Sequence, residues 1–156
     1  MTPLPSSPPR RTLLLVDDEP DILRSIGPLL ERGIPGLEVI PASSGREGLA
    51  ILDRGAVDLI VSDFRMPGMD GLEFLEQCGL RHPRIPRAIL TAFLTQELRE
   101  RAGSGVASDS FLSKAEAPSV LLDWVRRRIE SVPAAAVASL MKVKVGTAPQ
   151  ASAPME

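Results

Sequence analysis

The sequence predicts an α/β fold built on a parallel sheet, and two observations carry that expectation. Short apolar runs alternate with stretches of helical period, and five such strand-then-helix units follow one another between residues 12 and 130. Strands that alternate with helices form βαβ units, whose helices cover both faces of the sheet.

The elements are read in chain order. The first strand is "TLLLV" (12–16), and a helix is expected over 21–32. Pro28 lies inside that helix and removes the hydrogen bond to the carbonyl of Arg24, so a kink or an early end is expected there. The second strand is "LEVI" (37–40), followed by a helix over 44–54 in which Ser44 and Glu47 match a capping box. "VDLIVS" (57–62) is the third strand. Beyond it Pro67-Gly68 suits a tight turn, and Asp70 and Glu73 repeat the capping pattern at the head of a helix over 71–81. "RAILT" (87–91) precedes a helix over 95–102, and "DSFLS" (109–113) precedes one over 118–130. In the last helix Leu122, Val125 and Ile129 fall at i, i+3 and i+7, which predicts a buried stripe. Trp124 fits either the edge of the core or a partner surface, and Cys78 reads as a buried, inert thiol.

Residues 1–11 carry four prolines and two serines and read as a flexible leader outside the fold. The ordered domain is expected over 12–130. Residues 131–156 are small, alanine-rich and proline-punctuated, and read as a flexible tail in which "LMKVKV" could pair as an edge strand or dock on a partner. A chain of 156 residues suits one domain with such ends.

Composition narrows the function. With 44% hydrophobic residues, 24% charged residues and a net charge of −2, the chain resembles an ordinary globular protein and gives no support to a basic nucleic-acid face. Cys78 is the single cysteine, so no intramolecular disulfide or cysteine-based zinc site can form. The early apolar run Leu13 to Val16 is too short for a membrane span or a signal peptide's hydrophobic region, and a cytoplasmic protein is expected.

Chemistry collects where the apolar runs end. The first ends in Asp17-Asp18, the third in Asp63, the fourth in Thr91 and the fifth in Lys114. Open parallel sheets bind ligands outside the carboxyl ends of their strands. Each residue also has a plainer use: Asp17 and Asp18 as helix caps, Thr91 as a strand-end hydroxyl, Lys114 as a solvated charge. Three carboxylates in one crevice, however, repel by roughly 4 kcal/mol per pair at 4 Å and intermediate dielectric. A hard cation removes that cost, and carboxylates with carbonyl and water suit Mg²⁺. Zinc does not fit, because His82 is the single histidine and falls in a loop. A metal, a cation, a hydroxyl and a central carboxylate are the parts of phosphoryl transfer, with Asp63 as nucleophile and an aspartyl phosphate as product.

The stretches "LLLVDDEP" (13–20), "DLIVSDFRMPGMDG" (58–71), "AILTAF" (88–93) and "FLSK" (111–114) together resemble the receiver domain of bacterial two-component response regulators. The resemblance implies a flavodoxin-like fold, a doubly wound five-stranded parallel sheet of order 2-1-3-4-5 with five helices. It implies that Asp63 accepts a phosphoryl group from a histidine kinase or histidine phosphotransfer protein. It further implies that Asp18 and Asp63 ligate Mg²⁺, that Asp17 acts largely through metal-bound water, and that the backbone carbonyl of Arg65 completes the set. Lys114 would pair with the phosphate and Thr91 would move toward it. Phe111 holds the family's switch-aromatic position, and a plain core aromatic is the alternative reading. The switch face would comprise the fourth helix, fifth strand and fifth helix, which could also form a dimer upon phosphorylation.

The family usually places a proline after the lysine, commonly through a cis bond. Here Ala115 follows, with Pro118 displaced, and a trans peptide is expected because a non-proline cis bond costs about 2.5–4 kcal/mol. Arg65 and Phe93 lie two residues beyond Asp63 and Thr91. In this family those positions influence how water reaches the phosphoryl group, and a cation and a ring there predict slow self-dephosphorylation.

The reading is a stand-alone signalling phosphoacceptor, not an enzyme, that controls a downstream protein or relays phosphate. A phosphorylation-independent interaction module is the alternative. A magnesium-dependent phosphatase normally wants a carboxylate two residues after its nucleophile, and Arg65 stands there instead.

Overall fold

A computed structural model describes residues 7–103 and 110–131; the expectations for residues 1–6 and 132–156 lie outside them. The elements run β1 (Arg11–Val16), α1 (Pro20–Gly33), β2 (Leu37–Ala42), α2 (Gly45–Asp53), β3 (Leu59–Ser62), α3 (Gly71–Arg81), β4 (Arg87–Thr91), α4 (Gln96–Ala102), β5 (Phe111–Ser113) and α5 (Ser119–Ser131). A 3₁₀ turn, Lys114–Glu116, lies between β5 and α5. The five strands form one parallel sheet in the order β2-β1-β3-β4-β5, the flavodoxin-like arrangement.

Two apolar layers hold the sheet. One gathers Leu14, Val16, Leu52, Ile60, Phe74, Leu75 and Ile89 with Leu98 and Phe111. The other gathers Leu13, Leu15, Leu30, Leu59, Val61 and Leu90 with Leu121, Trp124 and Val125. Alternate residues of β1 thus feed opposite layers, as the period-2 geometry of a strand requires. Leu13 to Leu15 are apolar without a break because both faces are covered.

Local sequence explains several boundaries and corrects others. Pro28 does not end α1, which runs on to Gly33. Pro28 and Arg24 are both exposed, so the hydrogen bond that Pro28 removes lies on the solvent side of α1, while buried Gly27 and Leu30 hold the opposite side of the helix. The Ser44 Oγ accepts from the Glu47 N–H at 3.1 Å as a cap should. The Glu47 carboxylate, however, accepts from the N–H and hydroxyl of Ser43 at 2.9 and 2.7 Å, one residue earlier than a capping box places it. Asp70 likewise caps α3 through the Glu73 N–H at 2.9 Å, while the Glu73 carboxylate turns toward Arg101 instead.

On α5 the buried stripe is Leu121, Trp124 and Val125, with Leu122 and Ile129 at its half-buried edge. The stripe is rotated from the expected one because the helix packs Trp124, 1% exposed, directly onto the sheet. Trp124 therefore belongs to the core. Cys78 is also fully buried, and burial pushes its thiol pKa up to about 12, which makes it a poor nucleophile.

Candidate functional site

The chain crosses from one side of β1 to the other between β2 and β3, so the crevice at the carboxyl ends of β1 and β3 is the switch point of the sheet. Backbone bonds extend the ladder by one residue on each strand. The Asp17 N–H donates to the Ala42 carbonyl at 3.0 Å, and the Asp63 N–H to the Val16 carbonyl at 2.8 Å. Both aspartates are therefore fixed as continuations of strands rather than as loop residues.

Asp17 is 2% exposed and Asp63 7% exposed, while Asp18 is half-buried. One carboxylate oxygen from each lies within 4.8 Å of the other two. The Lys114 Nζ reaches into the cluster, 3.0 Å from Asp17 Oδ2 and 3.3 Å from Asp63 Oδ1. Asp17 Oδ1 accepts from the Glu19 N–H at 2.9 Å, so both oxygens of Asp17 are engaged. Asp63 Oδ1 accepts from the Phe64 N–H at 2.8 Å.

Burial raises the Asp63 carboxyl above its ordinary pKa, and the charge of Asp17 pushes the same way against the opposing pull of Lys114. Burial alone would lower the Lys114 ammonium, yet the hydrogen bond and charge of Asp17, with those of Asp63, outweigh it and hold Lys114 above its ordinary value. One ammonium against three carboxylates leaves the crevice negative. In a six-coordinate magnesium shell oxygens lie about 3 to 4 Å apart, so small adjustments bring these donors together. An all-oxygen, net-negative donor set fits Mg²⁺.

Lys114 is delivered without a proline after it. Its peptide to Ala115 is not cis; the cis bond among the described residues is Ala117–Pro118. The Ala115 N–H, which a proline would lack, donates to Ser113 Oγ at 3.2 Å, and the Ala117 N–H returns to the Lys114 carbonyl at 3.3 Å. These two bonds close the turn that carries the lysine.

Thr91 ends β4 beside Ser113 and is 3% exposed; its Oγ1 accepts from the Phe93 N–H at 3.3 Å. Phe93 itself is 66% exposed, with the Arg65 guanidinium 5.9 Å from its ring centroid. Phe111 lies two residues before Ser113 on β5, turned inward into the core, with Arg99 of α4 5.7 Å above its ring. Asp17, Asp18, Asp63 and Lys114 thus come together directly. Thr91 borders them at the end of the neighbouring strand, and Phe111 sits behind it.

Three supporting residues escape a reading of the sequence. Ser62, buried at the end of β3, donates its hydroxyl to the Asp63 carbonyl at 2.8 Å. Phe64 holds Asp63 through its N–H. Gly71 closes the loop by donating to the Phe64 carbonyl at 2.7 Å, and a Cβ there would stand 2.1 Å from the Asp63 carbonyl oxygen. The "DG" pair signals a helix start, but nothing in the sequence says that the glycine must be small on account of Asp63.

Among the described residues no helix is long and apolar enough to cross a membrane. The family model for the response regulator receiver domain matches residues 13–126. The transcriptional activator protein ExaE of Pseudomonas putida is 36% identical over 115 residues, covering 74% of this chain and 53% of ExaE. The transcriptional regulatory protein GlrR of Escherichia coli K12 is 45% identical over 80 residues, covering 51% of this chain and 18% of GlrR. The chain therefore spans about half the length of the first and about a fifth of the second. Among solved structures, the CheY-like receiver domain protein of Methanospirillum hungatei JF-1 aligns with a TM-score of 0.71 at 27% identity, covering 78% of this chain and 94% of that one. The chemotaxis protein CheY4 of Vibrio cholerae aligns with a TM-score of 0.67 at 31% identity, covering 76% and 98%. The family match takes in β1 from Leu13, all of the other four strands and most of α5, and the chain belongs to the response regulator receiver domain family of two-component signal transduction.

Proposed function

We propose that Asp63 is the phosphoacceptor of this receiver domain, which takes its phosphoryl group from a histidine kinase or histidine phosphotransfer protein. The observation that carries this reading is the convergence of Asp17, Asp18 and Asp63 within 4.8 Å, with Lys114 bridging two of them at 3.0 and 3.3 Å. A carboxylate oxygen of Asp63 attacks phosphorus while the bond to the donor's imidazole nitrogen breaks. The electron pair leaves with that nitrogen, and the product is an acyl phosphate on Asp63. Asp17, Asp18, Asp63 and the backbone carbonyl of Arg65 would hold Mg²⁺, which offsets charge on the phosphoryl oxygens. Lys114, released from Asp63 by the new phosphate, pairs with a phosphate oxygen, and the Thr91 hydroxyl donates to another.

Thr91 and Phe111 then form the switch, since among the described residues the Thr91 hydroxyl is held by the 3.3 Å bond from the Phe93 N–H, and Phe111 lies on the adjacent strand. The stacked Arg65 and Phe93 slow water's approach to the acyl phosphate. The output is a protein partner or a phosphorelay, without direct nucleic-acid contact, and the α4-β5-α5 face serves a phosphorylation-dependent dimer. The domain expected over 12–130 takes in one more residue at each end, Arg11 of β1 and Ser131 of α5, and it acts in the cytoplasm.

Incubation with acetyl phosphate tests the assignment by intact mass. The expected result is a Mg²⁺-dependent gain of one phosphate that Asp63→Asn abolishes. No gain with any donor would favour a phosphorylation-independent interaction module.

A further inference from the structure

Arg101, on α4, makes contacts that none of the roles above uses. Its guanidinium pairs with Asp70 Oδ2 at 2.5 Å and lies 3.6 Å from Glu73, both at the head of α3. The same guanidinium lies 5.6 Å from the centroid of the Phe64 ring. These partners are not arbitrary surface groups. Asp70 caps α3 through its other oxygen, and Phe64 is the residue whose N–H holds Asp63 Oδ1 at 2.8 Å. Gly71, the first residue of α3, bonds back to the Phe64 carbonyl. The loop from Asp63 to Gly71 is thus closed internally by its own backbone and braced externally by one side chain of α4.

Among the described residues α4 is thinly held, with Ala102 packed half-buried against the core beside Leu98, so the brace is a substantial part of its attachment. The helix is seven residues long and buries Leu98 alone. Its other side-chain contacts to the body of the domain include Arg99 over Phe111.

We propose that Arg101 is a positioning residue for the Asp63 loop. By bridging Asp70 and the face of Phe64 it fixes the turn that orients Asp63 and presents the Arg65 backbone, and it couples that turn to α4. Coupling between two sites is reciprocal, so a change at Asp63 that moves Phe64 shifts α4, and a partner that displaces α4 loosens the Asp63 loop.

Hydrogen exchange followed by mass spectrometry on the full chain, without magnesium or phosphodonor, tests the brace directly. Arg101→Gln should speed exchange in both 64–71 and 96–102 by about three- to tenfold, the combined scale of an exposed ion pair and a cation–π contact. Asp70→Asn keeps a side-chain oxygen for the α3 cap and should do the same. The double variant should exchange no faster than the faster single one. Acceleration confined to 96–102, or none, overturns the proposal.

A second readout separates positioning from charge and rests on the phosphoacceptor reading. Removing a cation near an acidic cluster would, by charge alone, tighten magnesium binding. Loss of positioning should instead weaken it in Arg101→Gln by about fivefold, the lower end of couplings between sites. Tighter or unchanged binding overturns the proposal. If the unsubstituted protein binds no magnesium, the phosphoacceptor reading fails and the exchange result alone decides the role of Arg101.

Discussion

Leu13, Leu14, Val16, Leu59, Ile60 and Val61 are all shut off from solvent, whereas α4 buries only Leu98 and β5 is three residues long. The first group forms the β1–β3 centre of the sheet, from which Asp17, Asp18 and Asp63 project; the second is the margin that carries Phe111 and leads to Lys114. The difference separates two demands on one domain. Chemistry needs carboxylates held in place, and strands covered on both faces supply that. A short helix with one buried leucine opens locally more readily than such strands, which suits the conformational response proposed for this domain.

Substitutions on the two sides should therefore differ in kind. Phe74→Ala, at a fully buried position packed against the centre, should cost about 3–5 kcal/mol in urea unfolding. Leu98→Ala should cost nearer 2 kcal/mol, the low end for a leucine, because the thinly packed α4 can settle into the space. Its main sign should be faster exchange over 96–102 with the centre unchanged. Equal costs and equal global loosening would erase the distinction between the regions.

Magnesium comes next in size. At tenfold excess over its Kd, binding to the folded state alone adds about 1.4 kcal/mol. Thermal unfolding with and without chelator should show that gain, and Asp18→Asn should lose it. Phe93→Ala should shorten the lifetime of the phosphorylated protein about threefold, equivalent to about 0.7 kcal/mol in barrier, read by loss of phosphate over time. An unchanged lifetime would remove Phe93 from any shielding role.

Titration gives the smallest effect. The Asp63 carboxyl is raised in the folded state, so its ionisation works against folding. In chelator, stability from this group should be highest below pH 3.8 and decline as pH rises through the raised value. Lys114, raised by its partners, contributes stability that is complete below pH 10.5 and lost as pH rises above it. Urea midpoints against pH, compared with Asp63→Asn, should lose the acidic slope and keep the alkaline one.

Much of this was legible in the sequence because it rests on short-range signals. The apolar runs place all five strands, and the residues that end or follow four of them place Asp17, Asp63, Thr91 and Lys114 at one edge. What was not legible depends on distances across the fold. The α5 stripe turned by one position, with Leu121 and Trp124 buried where Leu122 and Ile129 were expected, because which side faces the sheet is set by packing across the fold. Pro28 was tolerated because it lies on the exposed side of α1, a fact of burial rather than of spacing. The Arg101–Asp70 pair joins residues 31 apart, and no local pattern announces it. Both expected capping boxes formed by half, since Glu47 and Glu73 found other partners.

The most direct test of this division compares backbone hydrogen exchange, residue by residue, in the magnesium-bound protein with and without beryllofluoride as a phosphoryl mimic. The expected result is altered exchange over Thr91–Ala102 and Phe111–Glu116, among the described residues, with Leu13–Val16 and Leu59–Ser62 protected equally in both states. Changes confined to the β1–β3 centre, or spread evenly over the sheet, would contradict it.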